Sequence, residues 1–130
     1  MSISILVVDD EPDFIETMVK RFTFRKMPVT AASSGIAALK ILETETFDVV
    51  IMDVRMPGKD GIETLKEIKK RYPLTEVIML TGHASVESGM RGMSLGAYDY
   101  VLKPVDFDEL LEKVRKAHER KRLNEGRSAT

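Results

Sequence analysis

The sequence predicts an α/β fold: a doubly wound sheet of five parallel strands in the order 2-1-3-4-5, with five helices. Three observations predict it. Short apolar runs alternate with stretches of helical periodicity along almost the whole chain. Each intervening stretch is about a dozen residues or more, the length a parallel crossover needs. The polarity of the runs also differs. Ile5-Leu6-Val7-Val8, Val49-Val50-Ile51-Met52 and Val77-Ile78-Met79-Leu80 are wholly apolar, as strands buried on both faces are. Val29-Thr30-Ala31-Ala32 and Tyr98-Asp99-Tyr100-Val101-Leu102 are more polar and belong at the edges. Right-handed crossovers then allow the order 2-1-3-4-5, which reverses between strands one and three.

The helices follow in chain order. The first is predicted over residues 12–25, with Phe14, Ile15, Met18, Val19 and Phe22 as its apolar stripe. Pro12 suits its first turn, where a missing N–H costs nothing. Ser33 or Ser34 caps the second, whose apolar positions are Ile36, Leu39 and Leu42. The third opens near Asp60-Gly61, buries Ile62, Leu65 and Ile68, and ends before Pro73. The fourth, residues 85–95, has the weakest pattern, because Gly89 and Gly92 each cost about 1 kcal/mol relative to alanine. Close packing against a neighbour, or an element that shifts easily, would account for them. The fifth is the clearest. Asp106 and Glu109 have capping-box spacing, and Phe107, Leu110, Leu111, Val114 and Ala117 mark one face.

Composition excludes several classes. The 130 residues suit one domain, with 43% hydrophobic and 32% charged residues, which is globular rather than disordered. A net charge of −1 gives no global attraction to nucleic acid or an anionic membrane. With no cysteine there is no disulfide, thiol catalysis or cysteine-ligated zinc. No signal peptide is visible at Met1-Ser2-Ile3-Ser4, and no apolar run approaches the roughly 20 residues that span a bilayer. A cytoplasmic location, with no membrane partner, is expected.

Chemistry gathers where the strands end. Asp9 and Asp10 close the first strand and Asp53 the third, and these strands are neighbours at the point where the order reverses. Ligand sites of open α/β sheets lie there. Two carboxylates about 4 Å apart repel by roughly 1 to 4 kcal/mol, so a cluster of three is better explained by a bound cation than by stability. Thr81 closes the fourth strand, and Lys103-Pro104 follows the fifth. The set Asp9, Asp10, Asp53, Thr81 and Lys103 suits phosphoryl transfer. An aspartate can become an acyl phosphate, and magnesium favours one or two carboxylates, waters and a phosphate oxygen. A lysine and a hydroxyl can meet the remaining oxygens.

With these residues placed, the sequence resembles the receiver domain of two-component response regulators. The resemblance runs from about Ile3 to His118. It rests on Val7-Val8-Asp9-Asp10-Glu11-Pro12, Asp53-Val54-Arg55-Met56-Pro57-Gly58-Lys59-Asp60-Gly61, Thr81-Gly82-His83 and Tyr98-Asp99-Tyr100-Val101-Leu102-Lys103-Pro104. It implies a flavodoxin-like fold, the same five-stranded order, and phosphorylation of Asp53 by a sensor histidine kinase. Asp9, Asp10, Asp53 and the backbone carbonyl of Arg55 would hold Mg2+, with Mn2+ as a substitute. Lys103 would contact the phosphoryl group and Thr81 would move to hydrogen-bond it. Tyr100 matches an aromatic switch position, and Gly82 a small residue that leaves room for the phosphodonor. Arg55 and His83 stand at positions that flank the phosphoryl group and modulate its lifetime. The stretch from Gly82 to Pro104 is also similar to receivers of enhancer-binding transcription activators.

The resemblance implies a signalling module, not a turnover enzyme: it transfers a phosphoryl group to its own Asp53 and slowly hydrolyses the product. Its partners would be the kinase and a downstream output domain or protein, with a phosphorylation-dependent homodimer as a further expectation. The signal would leave through the fourth helix, fifth strand and fifth helix. Two rivals stand beside it. One is a magnesium-dependent phosphohydrolase that also uses an aspartyl phosphate; the haloacid-dehalogenase-like enzymes place a second acid two residues after the nucleophile, where this chain has Arg55. The other is a degenerate receiver acting only by contacts, against which every expected site residue is present.

Taken singly, the residues have plainer roles. Asp9 or Asp10 could cap the first helix, Asp53 could serve a turn, Thr81 and Tyr100 could be ordinary strand residues, and Lys103 could merely neutralise the acids. His83 and His118 lack metal-ligand spacing. The basic residues between Lys113 and Arg127 read as a solvated helix end, not a nucleic-acid contact. The domain is expected over residues 1–122, with 123–130 a polar, frayed tail or the start of a linker.

Overall fold

The structure, a computed structural model, describes residues 2–55, 61–82 and 86–129. Its strands are β1 (Ile5–Val8), β2 (Val29–Ala32), β3 (Val49–Asp53), β4 (Glu76–Thr81) and β5 (Asp99–Leu102). They form one parallel sheet in the order β2-β1-β3-β4-β5. Ile5 stands opposite Val29 on one side and Val49 on the other, and this register brings the ends of β1 and β3 side by side. The three inner strands are buried almost throughout, whereas β2 and β5 are half-exposed.

The helices are α1 (Pro12–Phe24), α2 (Gly35–Thr44), α3 (Gly61–Arg71), α4 (Val86–Ser94) and α5 (Phe107–Ala129). Because successive strand residues face opposite sides, the sheet splits the core in two. On one side Ile5, Val7, Ile51, Ile78 and Leu80 meet Met18 and Phe22 of α1 and Leu110, Val114 and Ala117 of α5. On the other, Leu6, Val8, Val50, Met52, Val77 and Met79 meet Ala38 and Leu42 of α2 and Ile62, Leu65 and Ile68 of α3. Burying one such aliphatic side chain contributes about 1.5 to 3 kcal/mol.

Local signals account for the helix ends. Ser34, not Ser33, caps α2: its hydroxyl oxygen accepts the Ala37 N–H at 3.1 Å. Asp106 accepts the N–H groups of Asp108 and Glu109, so the cap of α5 forms. Gly92 in α4 is a packing glycine: a Cβ there would lie 3.3 Å from Met79 Cγ and 3.6 Å from Leu65 Cδ2.

Some expectations differ from the structure. Ile36 is 53% exposed and does not join the core; Gly35 and Ala38 face inward in its place, because small residues let α2 sit close to the sheet. Helix α5 continues to Ala129, through the segment from residue 123 that is expected to be a polar, frayed tail or the start of a linker. It is held by ion pairs to the strand starts. Glu76, 2% exposed at the start of β4, pairs with Arg120 and more distantly with Lys69. Asp48, just before β3, accepts the Ser4 N–H and pairs with Lys121 at 3.3 Å. The expected start of α4 at Ser85 lies outside the described residues.

Candidate functional site

The rim at the strand ends assembles Asp9, Asp10, Asp53, Thr81 and Lys103 as expected. Asp9 leaves β1 fully buried, and its N–H donates to the Ala32 carbonyl, which fixes its direction. One carboxylate oxygen, Oδ1, accepts the Glu11 N–H at 2.9 Å, shaping the entry to α1. The other, Oδ2, accepts Lys103 Nζ at 3.0 Å. Asp9 therefore supports the turn and faces the site at once. Asp10, next in the chain, is exposed. One oxygen each from Asp9, Asp10 and Asp53 lie within 4.8 Å of one another.

Asp53 ends β3 and divides its oxygens in the same way. Oδ1 accepts the Arg55 N–H at 3.0 Å and Oδ2 accepts Lys103 Nζ at 3.2 Å. Lys103 Nζ also lies 3.4 Å from Glu11 Oε1 and 4.7 Å from the centre of the Phe14 ring. Its backbone N–H donates to the Thr81 carbonyl at 2.7 Å, which ties the lysine to the end of β4. Gly61, the first residue of α3, lies so close to the end of β3 that no side chain fits there without a shift. A Cβ there would lie 2.2 Å from the Asp53 carbonyl oxygen and 2.8 Å from Val54 Cα.

The charges are strongly coupled. Burial pushes the Asp9 carboxyl up from its ordinary value, with the Glu11 N–H and Lys103 working against it and Asp53 adding to it. Burial would lower the Lys103 ammonium, but Asp9 and Asp53 outweigh it and hold the lysine well above its usual range. The lysine stays charged at any physiological pH. It offsets one of the three aspartates, and the surplus of hard, negative oxygen atoms fits a cation such as magnesium.

Thr81 is 1% exposed, and its Oγ1 is a buried side-chain atom without a hydrogen-bond partner among the described residues. Leaving such a hydroxyl unmet costs about 1 to 3 kcal/mol. Tyr100 is half-buried against the core on the α2 and α3 side of the sheet. A Cβ at Gly82 would meet nothing within 4 Å among the described residues. Arg55 is exposed next to Asp53. His83 lies outside the described residues, as do Met56, Pro57, Gly58, Lys59 and Asp60. Glu11 was not among the expected site residues. The signal was the third acid of the run Asp9-Asp10-Glu11, which reads equally well as charge at a helix N-terminus.

The comparisons with known proteins agree with this geometry. The family model described as the response regulator receiver domain matches residues 5–115. The transcriptional regulatory protein ZraR of Klebsiella oxytoca is 37% identical over 126 residues, covering 95% of this chain and 28% of that protein. The regulatory protein AtoC of Escherichia coli (strain K12) is 41% identical over 106 residues, covering 82% of this chain and 23% of its own. Among solved structures, a response regulator receiver domain protein from Clostridium thermocellum matches with a TM-score of 0.89 and 35% identity, covering 95% of this chain and 98% of that one. NtrX from Brucella abortus matches with a TM-score of 0.92 and 30% identity, covering 99% of this chain and 29% of its own. The chain thus spans about a quarter of the length of the curated relatives it matches.

Proposed function

Because the chain belongs to the response regulator receiver family, we propose that it accepts a phosphoryl group on Asp53 from a sensor histidine kinase and relays the event by a change of shape. The observation that carries the reading is Lys103 Nζ, which bridges Asp9 and Asp53 at 3.0 and 3.2 Å, with the buried Thr81 hydroxyl, unpartnered among the described residues, at the end of the strand next to β3. An ammonium at the acceptor carboxylate neutralises incoming phosphoryl oxygens, and Thr81 has a donor to offer. Asp9, Asp10, Asp53 and the Arg55 carbonyl would hold Mg2+, or Mn2+ in its place. When bound, the ion supplies charge neutralisation for the transferred group. Asp53 Oδ1 is already oriented by the Arg55 N–H, and Asp9 by the Glu11 N–H, so both carboxylates enter the reaction in fixed orientations.

Arg55 can reach over the product and hinder water, which would set the rate of the slow self-hydrolysis; His83 is the second residue assigned to that role. The phosphohydrolase reading lacks the second acid it needs, since Arg55 occupies that position. The relatives named above are regulatory proteins several times longer, so the partner downstream is an output domain or protein, and transcription is the output that fits. The compartment that fits a cytoplasmic kinase domain is the cytoplasm, and no described helix is long and apolar enough to cross a membrane.

Incubation with acetyl phosphate and magnesium should add one phosphoryl group by intact mass, and Asp53→Asn should abolish it. A stoichiometric, acid-stable label on the Asp53→Asn protein would overturn the assignment.

A further inference from the structure

Phe14 belongs to the apolar stripe of α1, yet it is only half-buried and touches the site. Its ring centre lies 4.7 Å from Lys103 Nζ, within the range in which a ring face attracts an ammonium. The ammonium has three protons, and three carboxylates already surround it: Asp9 at 3.0 Å, Asp53 at 3.2 Å and Glu11 at 3.4 Å. Phe14 adds a contact of a different kind. Beside it runs a groove of about 560 Å³ between α1 and the segment that follows β5, which Phe14 and Lys103 both line. The same groove carries Asp13, Asp106 and Asp108. A four-carbon lysine stem is flexible, so without an obstacle these carboxylates compete for the ammonium.

We propose that Phe14 is a positioning residue for phosphoryl acceptance, its ring keeping the Lys103 ammonium over Asp53 and out of the acidic groove. The proposal rests on Lys103 serving transfer to Asp53. In that transfer an Asp53 oxygen forms a bond to phosphorus, the bond from phosphorus to the donor atom (a histidine nitrogen of the kinase, or the acetate oxygen of acetyl phosphate) breaks, and the donor leaves with the bonding pair. The acceptor gains negative charge as this happens, so an ammonium already in place lowers the barrier, and one that must return from the groove does not.

The test compares Phe14→Leu, which keeps an apolar side chain, with Phe14→Tyr, which keeps the ring. Phosphorylation of the full chain by acetyl phosphate with magnesium is followed across donor concentrations. Phe14→Leu should lower the saturating rate about two- to fivefold, the size of one such contact, and leave the half-saturating donor concentration and the magnesium affinity by calorimetry unchanged. Phe14→Tyr should match wild type. In a Lys103→Met background, Phe14→Leu should add nothing. An equal loss in that background, or an equal loss for both Phe14 variants, would show that Phe14 acts through packing and overturn the proposal. A second readout needs no phosphoryl chemistry: reductive methylation of Lys103, mapped by mass spectrometry, should be faster in Phe14→Leu and unchanged in Phe14→Tyr. Equal methylation in all three proteins would overturn the positioning role even if Asp53 is phosphorylated. Failure of wild type to accept phosphate, with methylation as expected, would overturn the reading of the site and leave the contact standing.

Discussion

Thr81 carries a cost, a buried hydroxyl without a partner among the described residues. Replacing Thr81 by the isosteric Val removes that cost. Thermal unfolding without ligand should therefore show Thr81→Val at least as stable as wild type, by up to about 1 kcal/mol. Beryllofluoride with magnesium should then stabilise wild type more than the variant, because only wild type has a donor to offer. A variant that is destabilised when free and stabilised equally when bound would refute this role. Asp9 gives a pH signature. Burial raises its folded pKa above the ordinary value, so the proton-bound form is favoured by folding. The stability this contributes is complete below the unfolded pKa, near 3.8, and is lost as pH rises through the raised value. In metal-free buffer the stability of wild type relative to Asp9→Asn should fall as pH rises above about 3.8. Denaturant unfolding at several pH values checks it, and a relative stability that rises with pH would contradict it. At this scale the rim was legible because each of its residues stands at the end of a strand-like run. Glu11 and Phe14 were not, because an acid at a helix start and an aromatic on an apolar stripe have sufficient local reasons to be there.

Among the elements, α4 and β5 connect the site to the surface. Thr81 ends the strand beside β5, Leu102 stands opposite it, and Leu102, Met90 and Met93 are exposed. Phosphorylation adds charge close to two and strong acceptor oxygens at Asp53. That change is local, so a distant reader needs an element with two arrangements. Outside the site loops, beryllofluoride should alter amide exchange most between α4 and the first turn of α5, with Tyr100 reporting the change. A homodimer formed on activation would use this same face. Changes confined to α1 and α2 would count against this surface and against Tyr100 as the switch. Element identity was legible because period and polarity both pointed the same way. The exposure of Ile36 was not, since either Ile36 or Ala38 satisfies helical spacing and only the distance between helix and sheet selects the smaller residue.

For the whole molecule, like charges gathered at Asp9, Asp10 and Asp53 repel, and a cation bound among them, as proposed, would relieve that repulsion. Without magnesium, Asp10→Ala should unfold at the same temperature as wild type or a higher one, because one repulsive carboxylate is gone. With millimolar magnesium, wild type should gain stability by mass action and the variant little. Equal gains in scanning calorimetry would place the ion elsewhere. The order β2-β1-β3-β4-β5 was legible from strand polarity and crossover handedness alone. The pairing of Glu76 with Arg120 was not, because 44 residues separate them and nothing local marks either as the other's partner.

That pairing has a mechanical consequence. Helix α5 is capped at Asp106 beside the site and fastened at Arg120 and Lys121 to the opposite end of the strands, where β3 and β4 start. About 20 Å of helix lies between the two ends, and about 13 Å projects past the fastening to Ala129, at 1.5 Å per residue. If α5 tilted as a rigid rod about that fastening, a displacement of its first turn would reach the far end reversed in direction and reduced to roughly two-thirds.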